Sequence, residues 1–362
     1  MLIYFTTLFL VVAAIYFSQR ARNKIVHVLF NGVAILFLVL ISGLRNSSVG
    51  TDAGSYARYY ERIVDLTDVF SVGLEPGYFF LCWLGKQVSS NYISIFLTVA
   101  IIITLCFFYG IKKLSVNPTF SIFFLLSSGI FYFHFNGMRQ GIAIAILFIS
   151  MIFVYERRIW LFLIFVAIAS LFHYTALIAL PIYLVPKKNN LKHIILLFVM
   201  VVILIVLYRP ILPILGEIEK FNSRYIQYFE PSYEGRGLIY SSFIVCLSIF
   251  FLFLKKYIKQ YRYFYSFLLN IFLIGVAIIL ISIAMKSSGS GIMRLSSYFR
   301  PAEVLLWPIL FANLQSKKIR DLFIYGIMIL YLTYHALTLQ AFGNMVPYKL
   351  NPIVLNKFSI LF

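Results

Sequence analysis

Long apolar runs separated by short polar or basic stretches make up most of this chain. Many of these runs approach the length of about 20 residues that an α-helix needs to cross a bilayer. The run 159–186 is too long for one crossing and is basic at both flanks, so two helices are expected, broken near 172–175. The other predicted crossings are 1–17, 25–41, 93–111, 120–135, 141–155, 191–207, 238–254, 263–285, 297–314 and 322–338. The pattern predicts an all-α polytopic membrane helix bundle of about 12 crossings, with a margin of about two.

Segment 78–92 does not fit this scheme. It begins aromatic and apolar, and then Lys86 and Gln87 interrupt it. It is too short to span a bilayer unless it is tilted. We interpret it as an interfacial or re-entrant helix packed under the preceding loop.

The basic residues orient the predicted helices. Lys and Arg concentrate in short clusters between apolar runs, at 20–24, 112–113, 157–158, 187–188, 255–262 and 317–320. Clusters of this kind stay on the cytoplasmic side of a membrane. The two large loops 43–77 and 209–236 and both termini are therefore expected on the opposite face, which in a bacterium is the periplasmic face of the inner membrane.

The composition supports a membrane protein and argues against a nucleic-acid binder. Of the 362 residues, 62% are hydrophobic and 12% are charged, whereas a soluble domain has about 25% charged residues. The net charge of +19 comes mainly from the clusters between apolar runs, so it reflects the orientation of the helices in the membrane. We expect residues 1–362 to form a single integral membrane domain, surrounded by membrane lipids, with no nucleic acid as a partner.

The sequence predicts no metal and no cofactor. The three cysteines stand alone in apolar or interfacial runs without the spacing of metal ligands. Zinc-protease, Walker, Rossmann and nucleophile-elbow patterns are all absent from the sequence.

Charged residues concentrate in the loop 43–77, which holds five of the 12 acidic residues. Arg45, Arg139 and Arg294 each lie at a predicted outer helix end. A single arginine there can simply contact lipid phosphate. Three of them beside Gly, Asn, Gln or Ser favour a shared anion site, because a guanidinium offers two parallel donors to phosphate oxygens and keeps its charge. A diphosphate is the expected ligand.

Three further residues are candidates for acid–base chemistry. Asp52 follows Gly50-Thr51, where it could cap a turn or helix or act as a general base. Glu75 precedes Pro76, where it could mark a loop–helix junction or serve as the base instead. His173 lies at the predicted helix break and could act as a base, bind a phosphate or sugar, or only pack.

The chain resembles the EpsG-like, Wzy-type polysaccharide polymerases. The residues that carry the resemblance occur in the family's order along nearly the whole chain: Gly43-Leu44-Arg45, Gly50-Thr51-Asp52, Tyr56, Glu75-Pro76-Gly77-Tyr78, Met138-Arg139-Gln140-Gly141, Phe172-His173-Tyr174-Thr175, Arg294-Leu295-Ser296-Ser297-Tyr298-Phe299 and Pro347-Tyr348-Lys349. The resemblance implies a metal-independent, inverting glycosyltransferase of GT-C-like architecture. It would transfer a growing glycan from undecaprenyl diphosphate to an undecaprenyl-diphosphate-linked repeat unit, and the resemblance adds a separate chain-length regulator as an expected partner.

The resemblance and the chemistry together give a set of expected site residues. Asp52 or Glu75 is the expected base, and His173 positions the acceptor or the diphosphate. The expected diphosphate- and substrate-binding residues are Arg45, Arg139, Gln140, Arg294, Tyr298, Arg209 and Tyr348. The alternatives are a flippase for lipid-linked oligosaccharides, which would show charge at mid-span, an O-antigen ligase, and a membrane acyltransferase.

Overall fold

The computed structural model describes residues 1–68, 73–187, 237–285, 291–341 and 343–354, together with positions 192, 195, 196, 199, 200, 202 and 203. The predicted crossing 191–207 lies largely outside the described residues, and the loop 209–236 with Arg209 lies wholly outside them.

Helices account for nearly all of the regular structure. The α-helices are α1 (Leu2–Arg20), α2 (Lys24–Gly43), α3 (Ala53–Arg62), α4 (Pro76–Val88), α5 (Ile93–Leu114), α6 (Pro118–Ser127), α7 (Met138–Tyr155), α8 (Ile159–Phe172), α9 (Leu238–Leu254), α10 (Arg262–Ala284), α11 (Ala302–Ala312) and α12 (Lys317–Ala341). The 3₁₀ segments are Leu66–Asp68, Phe131–Phe135, Tyr174–Leu184, Lys255–Tyr257 and Ile292–Tyr298. The described residues form no β-strand, only one isolated antiparallel bridge between Arg45 and Leu350.

Local sequence explains several helix starts. The side chain of Asn23 accepts a hydrogen bond from the backbone N–H of Ile25 at the start of α2. Asn117 does the same for Phe120 at the start of α6, where Pro118 follows the cap. Such caps satisfy backbone donors that have no partner within the helix. In α4, Pro76 occupies the first turn, where its missing N–H costs nothing.

Helices α7 and α10 form the centre of the bundle. In each, 72% of the most apolar stretch is buried inside the protein. Helix α7 packs against α5, α8 and the segment Tyr174–Leu184, while α10 packs against α11 and the segment Ile292–Tyr298. Helices α1, α2 and α12 are mostly exposed along their apolar length, which is typical of helices that face lipid.

The structure confirms an all-α polytopic helix bundle. Seven of the described helices are long and apolar enough to cross a membrane: Leu2–Arg20, Lys24–Gly43, Ile93–Leu114, Met138–Tyr155, Tyr240–Tyr257, Arg262–Ala284 and Lys317–Ala341. Four shorter apolar helices accompany them: Pro118–Ser127, Ile159–Phe172, Tyr174–Leu184 and Ala302–Ala312. The number of about 12 crossings stays a prediction.

Two predicted crossings have the wrong form. The run 120–135 is not one helix, because α6 ends at Ser127 and Gly129 adopts a φ of 78° before a 3₁₀ segment begins. The run 297–314 is likewise divided between a 3₁₀ segment and the eleven-residue helix α11. Mean hydropathy averages over such breaks. It therefore indicated correctly that both runs are apolar, but it wrongly indicated that each run is one continuous helix. The break predicted at 172–175 is confirmed, since His173 is extended between α8 and a 3₁₀ segment.

Candidate functional site

Several helix ends meet at one polar place in the bundle, which we call the polar centre. It consists of Asp52 before α3, Glu75 before α4, Arg139 in the first turn of α7, His173 after α8, and Arg294 in the segment Ile292–Tyr298. Where helix ends meet, polar side chains and unpaired backbone groups lie together. No helix has to be interrupted inside the apolar bundle to bring them there.

Glu75 lies in the middle of the polar centre and is completely buried. Nη1 of Arg139 donates to Oε2 of Glu75. Nδ1 of His173 lies 2.6 Å from Oε1 of the same carboxylate. Because an ionised carboxylate only accepts hydrogen bonds, the proton of the neutral imidazole belongs on Nδ1, and Nε2 carries the acceptor lone pair.

Gly77 allows this arrangement. A Cβ atom at Gly77 would lie 2.8 Å from the carbonyl oxygen of Leu171, near the end of α8. Only a glycine lets the start of α4 approach α8 so closely, and this approach brings Glu75 to His173.

Electrostatics keep Glu75 ionised. Burial by itself opposes the charge, but Arg139 and the hydrogen bond from His173 outweigh burial and lower the pKa of Glu75 to about 2. Burial lowers the pKa of His173, and Glu75 only partly opposes this shift. At neutral pH the centre therefore holds a charged carboxylate, a charged guanidinium and a neutral imidazole.

A second, looser ion pair completes the polar centre. Nη2 of Arg294 lies 3.5 Å from Oδ2 of Asp52, and the two side chains are 29% and 42% exposed. Tyr56 interacts electrostatically with both pairs: burial raises the pKa of its phenol, while the charge of Arg139 lowers it. Arg294 also contributes to the electrostatic environment of His173. The two pairs therefore belong to one electrostatic unit, and Asp52 is its more accessible carboxylate.

Gln140 and Tyr298 hold the walls of the polar centre together. Nε2 of Gln140 donates to the backbone carbonyl of Arg294 at 3.1 Å. The hydroxyl of Tyr298 lies 2.7 Å from Oγ1 of Thr175, which follows His173 by two residues in the chain. Both residues were expected to bind substrate, a prediction that stays open. What the geometry shows is that they connect α7 and the break after α8 to the segment that carries Arg294.

Arg45 and Tyr348 lie in a separate environment. Arg45 is completely buried, with its guanidinium over the rings of Phe96 and Phe135. The hydroxyl of Tyr348 donates to the backbone carbonyl of Ile41 at 2.9 Å. The structure thus brings Arg139 and Arg294 together as expected, but it does not place Arg45 among their ion pairs.

The sequence did not single out Asn136, although it positions the polar centre. Its Oδ1 accepts hydrogen bonds from the backbone N–H and the hydroxyl of Thr51, at 2.5 and 2.9 Å. Gly50 adopts a φ of 106° beside it, against the carbonyl of Phe135. Asn136 thereby fixes the loop that ends in Asp52 against the segment that leads to Arg139. The polar break around Asn136 in an apolar run was the available signal.

Within the ranges that the structure describes, no three His, Cys, Asp or Glu side chains are grouped so that they could hold a metal ion. The arrangement is therefore one of cations, carboxylates and an imidazole. It suits binding of a phosphorylated group and proton transfer at a hydroxyl.

The protein therefore belongs to the class of polytopic membrane proteins. Its long apolar helices surround a polar site formed where helix ends meet. The model of the EpsG family matches residues 28–350, so the chain belongs to the EpsG family. This membership indicates a membrane protein of polysaccharide biosynthesis with a polymerase-type function. Comparisons with curated proteins and with solved structures found no match.

Proposed function

We propose that this protein polymerises a surface polysaccharide such as an O-antigen from lipid-linked repeat units on the periplasmic face of a bacterial inner membrane. The donor is a growing glycan on undecaprenyl diphosphate, and the acceptor is a repeat unit on the same lipid. The observation that carries this proposal is the pairing of two arginines with two carboxylates at the polar centre, in a chain of the EpsG family.

Arg139 and Arg294 are the proposed diphosphate ligands. Expulsion of a diphosphate without a metal requires fixed cations where negative charge develops, and guanidinium groups supply this positive charge. The charges of the polar centre balance in this structure, since each arginine has a carboxylate partner. An incoming diphosphate therefore competes with a carboxylate, and the partly exposed Asp52, 3.5 Å from Arg294, is the easier one to displace.

Asp52 is the proposed general base, and Glu75 has a different role. Both oxygens of Glu75 already accept hydrogen bonds, and its pKa of about 2 makes it a weak base at neutral pH. Glu75 instead holds Arg139 in place and orients His173, so that the lone pair on Nε2 of His173 can accept a hydrogen bond from a hydroxyl of the acceptor sugar. Release of Asp52 from Arg294 on diphosphate binding makes its carboxylate available to the acceptor.

The proposed reaction is one inverting displacement. The acceptor hydroxyl loses its proton to Asp52, and its oxygen forms a bond to the anomeric carbon of the donor glycan. The bond from that carbon to the diphosphate oxygen breaks, and the electron pair leaves with undecaprenyl diphosphate beside Arg139 and Arg294. The product is a glycan longer by one repeat unit on the acceptor lipid.

The test is polymerisation of purified undecaprenyl-diphosphate repeat units by the full-length protein in detergent with EDTA, with products resolved by size. We expect a ladder from the wild type. Arg139→Ala should lower the rate about 10²–10³-fold, and Asp52→Asn about 10²–10⁴-fold. Asp65→Asn changes an exposed carboxylate of the same loop and should leave the ladder unchanged.

The rival function is a lipid-linked oligosaccharide flippase. No ladder from folded wild-type protein, together with translocation of the same lipid in liposomes, would replace the polymerase with this transporter. A ladder that requires added undecaprenyl-free acceptor glycan would point instead to an O-antigen ligase.

A further inference from the structure

Arg45 is a buried cation whose hydrogen-bonding capacity is largely unused. It is 0% exposed and follows the end of α2. Its Nη1 donates to the carbonyl oxygen of Ser42. Its guanidinium carbon lies 4.4 Å from the ring centroid of Phe96 and 4.2 Å from that of Phe135. Nε and Nη2 have no hydrogen-bond partner anywhere in the described part of the chain.

These two nitrogens form a fork that matches an oxyanion. Nε and Nη2 point their protons in the same direction and can bind two oxygens of one phosphate. Two more donors, on residues close to Arg45 in the structure, lack partners among the described residues: the hydroxyl of Ser42 and Nδ2 of Asn351. Ser42 touches Arg45 through its carbonyl, and Asn351 pairs with the adjacent residue Leu44 through its backbone N–H at 2.9 Å.

The charge of Arg45 also lacks compensation. Burial lowers the pKa of Arg45 to about 10, which still leaves the group protonated at neutral pH. Its electrostatic neighbours are tyrosines, and none of the ion pairs between described residues includes it. Water would satisfy the donors and leave the charge uncompensated, whereas an oxyanion satisfies both.

Residues 343–351, which we call the strap, cover this place. The strap is held by hydrogen bonds to backbone carbonyl oxygens, and no disulfide or ion pair holds it among the described residues. These bonds run from Asn46 N–H to Lys349 (2.8 Å), from Asn351 N–H to Leu44 (2.9 Å), from Gly50 N–H to Asn344 (3.1 Å), from Tyr348 to Ile41 (2.9 Å) and from Tyr4 to Met345 (2.7 Å). Each bonded group can bind water instead, so displacement of the strap opens a path to Arg45.

We propose that Arg45 is a second phosphoryl-binding site, covered by the strap, which takes one phosphate of a lipid-linked diphosphate. The identity of the lipid rests on the proposed function; the fork would bind inorganic pyrophosphate through the same contacts. A protein that joins two lipid-diphosphate substrates must hold two such groups. The polar centre and Arg45 provide two separate places for them.

Hydrogen exchange of the full-length protein in lipid nanodiscs tests this site. The probes are inorganic phosphate, inorganic pyrophosphate and undecaprenyl diphosphate. A phosphoryl group reaches the buried fork only if the strap is displaced, which breaks the bonds of the Asn46 and Asn351 amides. We expect a several-fold rise in deuterium uptake at 44–51 and 343–351. A rise in deuterium uptake with pyrophosphate shows that the phosphoryl group is sufficient for binding. A rise with undecaprenyl diphosphate but with neither inorganic probe assigns the site to the lipid headgroup.

Matched variants separate this site from the polar centre. Arg45→Lys keeps the charge but removes the fork, and it should abolish the response. Arg20→Lys, an exposed arginine over Tyr16 at the other end of α1, should retain it. Ser42→Ala, which removes one donor and little volume, should raise the half-maximal probe concentration at least about tenfold.

The outcomes also distinguish this inference from the proposed function. Arg139→Ala should lose polymerisation and keep the strap response. A strap response without polymerisation in the wild type overturns the polymerase and leaves the phosphoryl site standing. An unchanged strap with every probe, or an equal response in folded Arg45→Lys and Ser42→Ala proteins, overturns the site.

Discussion

Among single residues, Glu75 joins two other ionisable side chains of the polar centre. It is fully buried, and its two oxygens bind different partners, Arg139 and His173. The loss of either partner of a buried ion pair leaves the charge of the other buried and uncompensated, which destabilises the folded state. Changes at Glu75 should therefore affect folding as well as activity, in contrast to changes at the more exposed Asp52.

Replacement of Glu75 by Gln should lower the free energy of unfolding by about 3 kcal/mol, because Arg139, only 17% exposed, loses its counter-charge. Denaturant unfolding in detergent measures this loss. Glu61→Gln, at an exposed carboxylate of α3, is the matched control and should change stability by less than about 0.5 kcal/mol. Equal stabilities of the two variants would show that the buried pair contributes little.

Acidification should remove the contribution of Glu75 progressively. The pKa of Glu75 is lower in the folded protein, at about 2, than the value of about 4.3 expected for an unfolded chain. The folded state thus binds fewer protons, and its stabilisation is complete above about pH 4.5 and declines towards pH 2. Unfolding free energies at pH 6 and pH 3 should differ more for the wild type than for Glu75→Gln. Parallel pH dependences would contradict this assignment.

At the scale of elements, the polar centre depends on how closely helix ends approach one another. The start of α4 lies against the end of α8 at Gly77, and Gly50 lies against the segment before α7. At both contact points the nearest atom is a backbone carbonyl oxygen. The geometry of the ion pairs is therefore set by backbone proximity, and one added methyl group can disturb it.

Gly77→Ala should push α4 away from α8, because the new Cβ would meet the backbone carbonyl of Leu171 at 2.8 Å. Overpacking of this kind costs about 1–3 kcal/mol, and the contact between Glu75 and His173 should lengthen. We expect a less stable protein with strongly reduced polymerisation. Gly326→Ala, in α12 with open space around it, is the control and should keep both properties. Full activity of Gly77→Ala would show that this approach is not needed.

At the scale of the whole molecule, the arrangement of charge predicts a sidedness. The polar centre and the loop before it should face the periplasm, while the basic clusters, such as the one at the end of α5, should face the cytoplasm. Substrates attached to a lipid would then approach the centre from the outer leaflet.

Single cysteines in a chain with Cys82, Cys106 and Cys246 replaced by Ala test this sidedness. Asp65→Cys and Lys112→Cys are both at exposed positions. A thiol reagent that cannot cross the inner membrane should label Asp65→Cys in cells with a permeable outer membrane, and Lys112→Cys only after the inner membrane is broken. The opposite pattern would invert the topology.

The sequence also predicted much of the candidate site. Arg139, Arg294, Asp52, Glu75 and His173 were selected from their residue types, their predicted positions and the resemblance to the EpsG-like polymerases. The structure places them together, and their functional roles stay predictions. Their pairing could not be predicted. Which carboxylate meets which arginine depends on contacts between residues far apart in sequence, such as the 98 positions between Glu75 and His173.

The sequence by itself determined the all-α membrane fold and the chemistry available at the helix ends. Hydrophobic length and charge distribution are local properties, and a bilayer acts on them directly. Only the tertiary structure decided that 120–135 is broken, that Glu75 is held between Arg139 and His173, and that Arg45 lies apart under the strap. These features arise from close packing between distant segments, where the position of a glycine or a single carbonyl decides which side chains can meet.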